Sequence, residues 1–409
     1  MYDLEWVRNH FPGLNNSQDI LVDNAGGSQI AREAITGIQD FLTQCNVQLG
    51  ADYATSQEAA QRVANAQSAI TTWLNAGQVE EVIVGSSSTW LTRLLSLQLM
   101  QTWQPGDEII ITDVDHEANR SCWLDLQKQG VVIKEWTVNC ESHELETADL
   151  KSLLSEKTKL VCCTHVSNIY GHINPIKQWA DIVHQYGAEI CVDGVAYAPH
   201  RLPDVQALDV DYYFFSFYKT FGPHQAVLYG KHACLSRLPG INHHFIDSIP
   251  YRFQPGNVNY ELLCGVHGAI HYLQELGQRN DSDQSSLRAD LIAAFKTIAE
   301  YEQTLIQPLI DFLNADDNVR IIGDAVADKH QRVATVSFVH QHLDSQQVVE
   351  QANRQDIGIR YGDFYAVALI DALNLRAQHG VIRVSLAHYN NAEEVTRLIA
   401  FFKNVFVKN

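Results

Sequence analysis

Between Ala188 and Gly230 the chain alternates short apolar runs with polar stops, and this rhythm constrains the fold more than any other feature. Ala188–Val192 ends in Asp193. Tyr212–Phe217 leads into Tyr218-Lys219, and Gly222-Pro223 then breaks the chain before Ala226–Tyr229. Each run has the length of a buried strand and is too short for a helix. Similar runs stand at Glu81–Val84, Glu108–Thr112 and Lys159–Thr164. Before and between the runs, Ala59–Leu74, Trp90–Leu99 and Ile176–Tyr186 carry helical apolar spacing. Strands alternating with helices argue for βαβ units and a parallel sheet. An open α/β sheet binds ligands beyond the carboxyl ends of its strands, which puts Asp193 and Lys219 at one ligand edge.

An acid and a lysine at two strand ends can do one particular job. A lysine forms a Schiff base with the aldehyde of pyridoxal phosphate, and a carboxylate keeps the ring nitrogen protonated so that the ring withdraws electrons. The plainer alternative is a helix-capping Asp193 and a solvated Lys219, since lysine is mostly exposed. Lys219, however, follows the apolar run Tyr212–Tyr218, broken only by Ser216. Burial there lowers a lysine pKa, which the Schiff-base role needs.

The motifs Val192-Asp193-Gly194 … Pro199-His200 and Asp211-Tyr212-Tyr213-x-Phe215-Ser216-x-x-Lys219-x-x-Gly222-Pro223 resemble the class V aminotransferases, a family of pyridoxal-phosphate enzymes. The cysteine desulfurase and selenocysteine lyase branch is the most similar. The resemblance spans roughly residues 10–405. It implies an α/β fold with a large domain, built on a mostly parallel seven-stranded sheet between helices, and a smaller α+β C-terminal domain. The expected division is an N-terminal segment, 1–20, packed on the small domain, then the cofactor-binding domain 21–262 and the small domain 263–409. By resemblance Lys219 carries the cofactor and Asp193 binds the pyridine nitrogen.

Composition agrees with an enzyme of this kind. The 409 residues suffice for two domains and a sizeable core. A net charge of −19 argues against nucleic acid and anionic membranes as general partners. No apolar run is long enough to span a membrane, and no long apolar core stands near Met1–His10 as a secretion signal needs. The eight cysteines include no Cys-x-x-Cys pair. A cytoplasmic, reduced protein is expected.

Several further motifs have two readings each. Val22-Asp23-Asn24-Ala25-Gly26-Gly27 reads either as an ordinary turn or as backbone that approaches a ligand closely. The resemblance places Asn24, Ala25 and Gly26 along the substrate site. Gly85-Ser86-Ser87-Ser88-Thr89, between a strand and a helix, is either a helix N-cap or a phosphate site. The resemblance gives Ser86 and Ser87 the cofactor phosphate. His116, at a strand end, could be a base, a metal ligand or a stacking surface; no second ligand stands at metal spacing. By resemblance it stacks on the cofactor ring and handles protons, Asn168 bonds the ring hydroxyl oxygen, and Ser216 belongs to the cofactor-binding segment. By resemblance the turn with Gly256 and Asn257 reaches the phosphate of a partner subunit, where Asn257 replaces the family threonine and the Gly256 backbone carries over, which implies a homodimer with shared active sites. Arg383, mid-strand among apolar residues, needs a partner. That partner is either a structural carboxylate or, by resemblance, the substrate α-carboxylate. Leu287–Leu313 reads as one long helix, kinked or split at Pro308, with Glu302 on its wet side.

Three positions depart from the family pattern. Desulfurases carry Arg-x-Gly-x-x-Cys, whose cysteine takes the substrate sulfur; here the segment is Arg360-x-Gly362-x-x-Tyr365, and no cysteine follows Cys264. The family glutamine that contacts the ring oxygen is Ala196, and the histidine before the lysine is Tyr218, whose hydroxyl can still donate to phosphate. Arg360 and Tyr365 are placed at the substrate. The expected function is a pyridoxal-phosphate enzyme, transferase or lyase, acting on a small amino acid. A selenocysteine or cysteine lyase is one alternative, and a catalytically idle binding protein on the same fold is another. A phenol of pKa about 10 cannot replace a sulfur nucleophile. With cysteine and a reductant the protein is therefore expected to release negligible sulfide and to carry no persulfide. Stoichiometric sulfide and alanine at about 1 per second or faster would refute this.

Overall fold

The computed structural model describes residues 2–280 and 283–407. The outermost positions of the expected ranges 1–20 and 263–409, and positions 281–282, lie outside the described residues. The seven strands of the large sheet are β1 Val82–Gly85, β2 Glu108–Thr112, β3 Val132–Trp136, β4 Thr158–Thr164, β5 Glu189–Asp193, β6 Tyr212–Ser216 and β7 Ala226–Gly230. Their order across the sheet is β1-β7-β6-β5-β4-β2-β3. β7 pairs antiparallel with both β1 and β6, and the other pairs are parallel.

The central strands are apolar at consecutive positions because both faces of the sheet are covered. Ile110, Val161, Cys163, Ile190, Val192, Tyr213 and Phe215 enter one core. Their neighbours Ile109, Ile111, Leu160, Cys162, Cys191, Tyr212 and Phe214 enter the other. This is the two-residue alternation of a strand read on both sides.

The second sheet is antiparallel, in the order β10 Arg360–Gly362, β11 Val381–Ser385, β9 Thr335–His340, β8 Val319–Ile322. The helices Leu287–Asn314 and Ala392–Val407 contribute to its core. Two features blur a division at 20/21 and 262/263. The short strand Ile20–Leu21 pairs in parallel with Ile357–Gly358 of the small sheet. The helix Tyr260–Gln278 buries its apolar side in the core that covers the large sheet. The N-terminal helix Leu4–Asn9 touches both bodies: Arg8 bonds Tyr389 O and Glu394, while Trp6 stacks on Tyr272.

The helix Leu287–Asn314 runs unbroken through Pro308. Glu302 is not on its wet side. Its carboxylate is buried and meets His200 Nδ1 at 2.8 Å and Arg201 Nη1 at 3.4 Å. Two cationic or polar partners from the turn after β5 thus pull an acid into the helix interface. Removing one partner of a buried ionic group leaves the others uncompensated. Glu302→Ala should cost about 3–5 kcal/mol of stability, read as a lower urea midpoint. Glu302→Gln, which keeps an acceptor, should lose less.

Candidate active site

The carboxyl ends of β4, β5 and β6 open on one cleft, lined by Thr164, Asp193 and Lys219 together with His116, Asn168 and Tyr218. The Asp193 side chain is buried, and the Val195 amide donates to its Oδ1 at 2.8 Å. Burial raises its pKa to about 6, against the pull of that amide and of Lys219. Lys219 sits at the end of a single 3-10 turn, Phe217–Lys219, that follows β6. Its amine is buried, and burial lowers the pKa to about 8. Arg383 pushes in the same direction, while Asp193 and Asp23 oppose. The bland reading of a solvated lysine therefore fails: the side chain belongs to the cleft.

His116 accepts a hydrogen bond at Nδ1 from the Ala118 amide at 3.0 Å, so the proton of the neutral ring is on Nε2. Burial, then Lys219 and Arg383, push its pKa down to about 4. At neutral pH it is an uncharged ring with its basic nitrogen engaged, better suited to stacking than to proton abstraction. The turn that carries it is held from beneath. Buried Asp115 accepts from Thr112 Oγ1 and, at 2.8 Å, from Asn119 Nδ2. Asn119 Oδ1 accepts in turn from Trp123 Nε1 at 3.1 Å. Burial raises the Asp115 pKa to about 7. Asn119 thus anchors the histidine turn.

The serine run is shifted relative to expectation. Ser87 is the N-cap of the helix Ser88–Met100, its Oγ accepting from the Trp90 amide at 3.1 Å. Ser86 faces a different cavity, shared with Gln254, Pro255 and Asn257. Ser88 and Thr89 line the cleft instead. They are the first two helical residues, whose amides have no intrahelical acceptor. Free amides and the positive end of a helix suit an anion. The missed signal was the cap itself, since the residues after an N-cap carry the free amides. Ser216 stands behind this position, its Oγ donating to Ser88 Oγ at 3.2 Å. Gly256 and Asn257 do not line the cleft; Asn257 Nδ2 bonds Gln48 Oε1 at 3.2 Å on an exposed turn.

The expected substrate side divides in the same way. The Asn24 amide is used up internally, donating to Ser385 O at 2.9 Å, Asn390 Oδ1 at 3.0 Å and Leu21 O at 3.3 Å while accepting from the Tyr389 hydroxyl. The Ala25 amide donates to Ser385 Oγ at 2.8 Å, and Gly26 folds back on Asp23. These three residues tie the segment after Leu21 to β11 and do not line the cleft. Asp23, not singled out from sequence, faces both arginines: its Oδ1 accepts from Arg383 Nη2 at 2.8 Å and its Oδ2 stands 3.7 Å from Arg360. Arg383 is buried with its Nε unpartnered. Arg360 is largely exposed. Tyr365 is also exposed, with its ring 5.3 Å from that of His116.

This donor set fits pyridoxal phosphate. A helix start offers amides and hydroxyls to a phosphate, a buried acid stands ready for a ring nitrogen, and a buried amine of lowered pKa suits an aldehyde. At pH 7 about a tenth of an amine with a pKa near 8 is neutral, and only the neutral form attacks a carbonyl carbon. Covalent capture of added pyridoxal phosphate by cofactor-free protein should therefore speed up about tenfold per pH unit below 8 and level off above it. Continued acceleration towards pH 10.5, followed by the visible absorbance of the product, would show an ordinary exposed lysine.

The comparisons with known proteins agree with this geometry. The family model described as aminotransferase class-V matches residues 20–398. The chain is 39% identical to the aminotransferase-like protein FGM3 of Gibberella zeae, over 99% of this chain and 98% of that one. It is 34% identical to the cysteine desulfurase-like protein ustD of Aspergillus flavus, over 96% and 88%. The crystal structure of the cysteine desulfurase CsdA from Escherichia coli superposes with a TM-score of 0.84 at 22% identity, covering 99% of each chain, and so shares the fold. The chain belongs to the aminotransferase class-V family.

Proposed function

We propose that the cleft binds pyridoxal phosphate and that the protein is a transferase or lyase acting on a small amino acid. The observation that carries this reading is the buried pair Asp193 and Lys219 at neighbouring strand ends, with the amine pKa brought down to about 8. The cofactor supplies an electron sink for bonds at the amino-acid α-carbon. Asp193 would hold the ring nitrogen, Lys219 would bind the aldehyde and move the α-proton, and His116 would lie against the ring. Asn168 faces the ring hydroxyl side. Ser88, Thr89 and the helix start hold the phosphate, with Ser216 behind them and Tyr218 as a further donor. Arg383 receives the substrate carboxylate at its unpartnered Nε, while Asp23 keeps the guanidinium from standing as an isolated buried charge.

The position of the family's sulfur-accepting cysteine is Tyr365, so the proposed chemistry does not pass through a persulfide. A homodimer is part of the proposal. The turn that carries Gly256 and Asn257 lies apart from its own cleft, and exposed Trp90, Phe245 and Tyr251 offer apolar surface for a second copy. Seven of the eight thiols are buried and all are free, which supports a reducing, cytoplasmic setting. No helix among the described residues is long and apolar enough to cross a membrane.

The test combines cofactor trapping with a substrate panel. Purified protein supplied with pyridoxal phosphate should turn yellow, and borohydride should fix the cofactor on the Lys219 peptide. Lys219→Ala should retain cofactor non-covalently while turnover falls about 10²–10⁴-fold. A panel of amino acids assayed for keto acid, ammonia and sulfide would give the reaction. A colourless protein with unmodified Lys219 rejects the cofactor assignment. A loaded protein without turnover on any amino acid points to the idle scaffold.

A further inference from the structure

The segment Gly362–Ala366 has an unusual backbone. Phe364 and Tyr365 are consecutive non-glycine residues with positive φ, 51° and 63°, and Gly362 before them is at 130°. Such conformations persist only where surrounding contacts over-determine them. Here the contacts are specific. Asp363 Oδ1 accepts from the Tyr365 amide at 2.9 Å, and Asp363 O accepts from the Ala366 amide at 2.8 Å. Two further bonds tie the loop to the large domain: the Glu117 amide donates to Tyr365 O at 2.8 Å, and Asn168 Nδ2 donates to Phe364 O at 2.9 Å.

These bonds set the Phe364 ring beneath the buried arginine, with the Arg383 guanidinium carbon 3.7 Å from the ring centroid. Arg383 Nη1 donates to Asn168 O at 3.1 Å. Phe364, Arg383 and Asn168 therefore form a closed circuit of three contacts between the two domains. The ring lies under the guanidinium carbon, Asp23 holds Nη2 and Asn168 holds Nη1, so Nε is the nitrogen left without a partner. Contacts at the central carbon and at two nitrogens restrict rotation of the group.

We propose that Phe364 is a positioning residue, which fixes the Arg383 guanidinium so that its free edge meets the carboxylate of an amino acid. This rests on the reading that Arg383 is the carboxylate receptor. An aliphatic side chain of similar size would fill the space without the attraction between a cation and an aromatic face. Tyrosine would retain it.

The experiment compares holoenzyme, Phe364→Leu and Phe364→Tyr by phenylglyoxal labelling, with peptide masses reporting Arg383 and exposed Arg360 as internal reference. Arg383 should label slowly in the wild type and at least about fivefold faster in Phe364→Leu, with Arg360 unchanged and Phe364→Tyr close to wild type. Glycine and acetate should protect Arg383 in the wild type, and about tenfold more of either should be needed in Phe364→Leu. For any amino acid that turns over, KM should rise by the same factor with kcat changed less than about threefold. Equal labelling and equal protection in Phe364→Leu and wild type overturn the proposal. So does a parallel loss of cofactor affinity and thermal midpoint, which marks general packing. Wild-type Arg383 that neither carboxylate protects removes the carboxylate role along with the proposal. Protection without turnover leaves Phe364 in place and rejects only the reading of the protein as an enzyme.

Discussion

The large sheet is apolar on both faces, and the location of the site follows from that constraint. With Ile110 and Val161 facing one core and Ile109 and Leu160 the other, neither face can admit a polar ligand. Polar side chains gather where the parallel strands end, beyond Thr164, Asp193 and Ser216. Parallel strands deliver their carboxyl ends to one edge, so residues far apart in sequence converge there without long loops. The single turn after β6 then places Lys219 beside an acid from the neighbouring strand.

Placing charges at a buried edge creates an electrostatic problem that the site solves with few groups. Desolvation disfavours the charged forms of Asp193, Lys219, His116 and Arg383 alike. Burial first, then the charges of Lys219 and Arg383, keeps His116 neutral, while Asp193 and Asp23 oppose the loss of charge on Lys219. Asp23 is the hinge of this balance, because its two oxygens face two arginines of the smaller sheet. The segment that carries it is stitched to β11 through Asn24 and Ala25, which is why these residues serve the site from outside it.

The sites read from sequence divide by the kind of signal. Asp193, Lys219, His116 and Asn168 stand at strand ends flanked by distinct residues, and the structure brings these four to one cleft. The serine run has no internal landmark, and the side-chain pattern alone does not say which serine caps the helix; the bond from the Trp90 amide makes it Ser87. Glu302 lies on a long helix beside Glu300 and reads from sequence as solvated; only the approach of His200 and Arg201 shows that it is buried. For Arg383 both expected partners have a place, a structural carboxylate in Asp23 and an open edge at Nε.

The sequence by itself determined the alternation of strands and helices, the two-sided burial of the sheet and the acid and lysine at its edge. These are properties of local order: apolar runs of strand length, helical spacing and stop residues each act within about ten residues of chain. Only the tertiary structure decided that Asp23 clasps two arginines from β10 and β11, and that Ser88 and Thr89 rather than Ser86 and Ser87 turn inward. The same holds for Phe364, whose left-handed backbone presses its ring on Arg383. Those contacts join residues separated by more than a hundred positions or depend on a single backbone dihedral, and neither distance in space nor a φ angle is written in the local pattern of side chains.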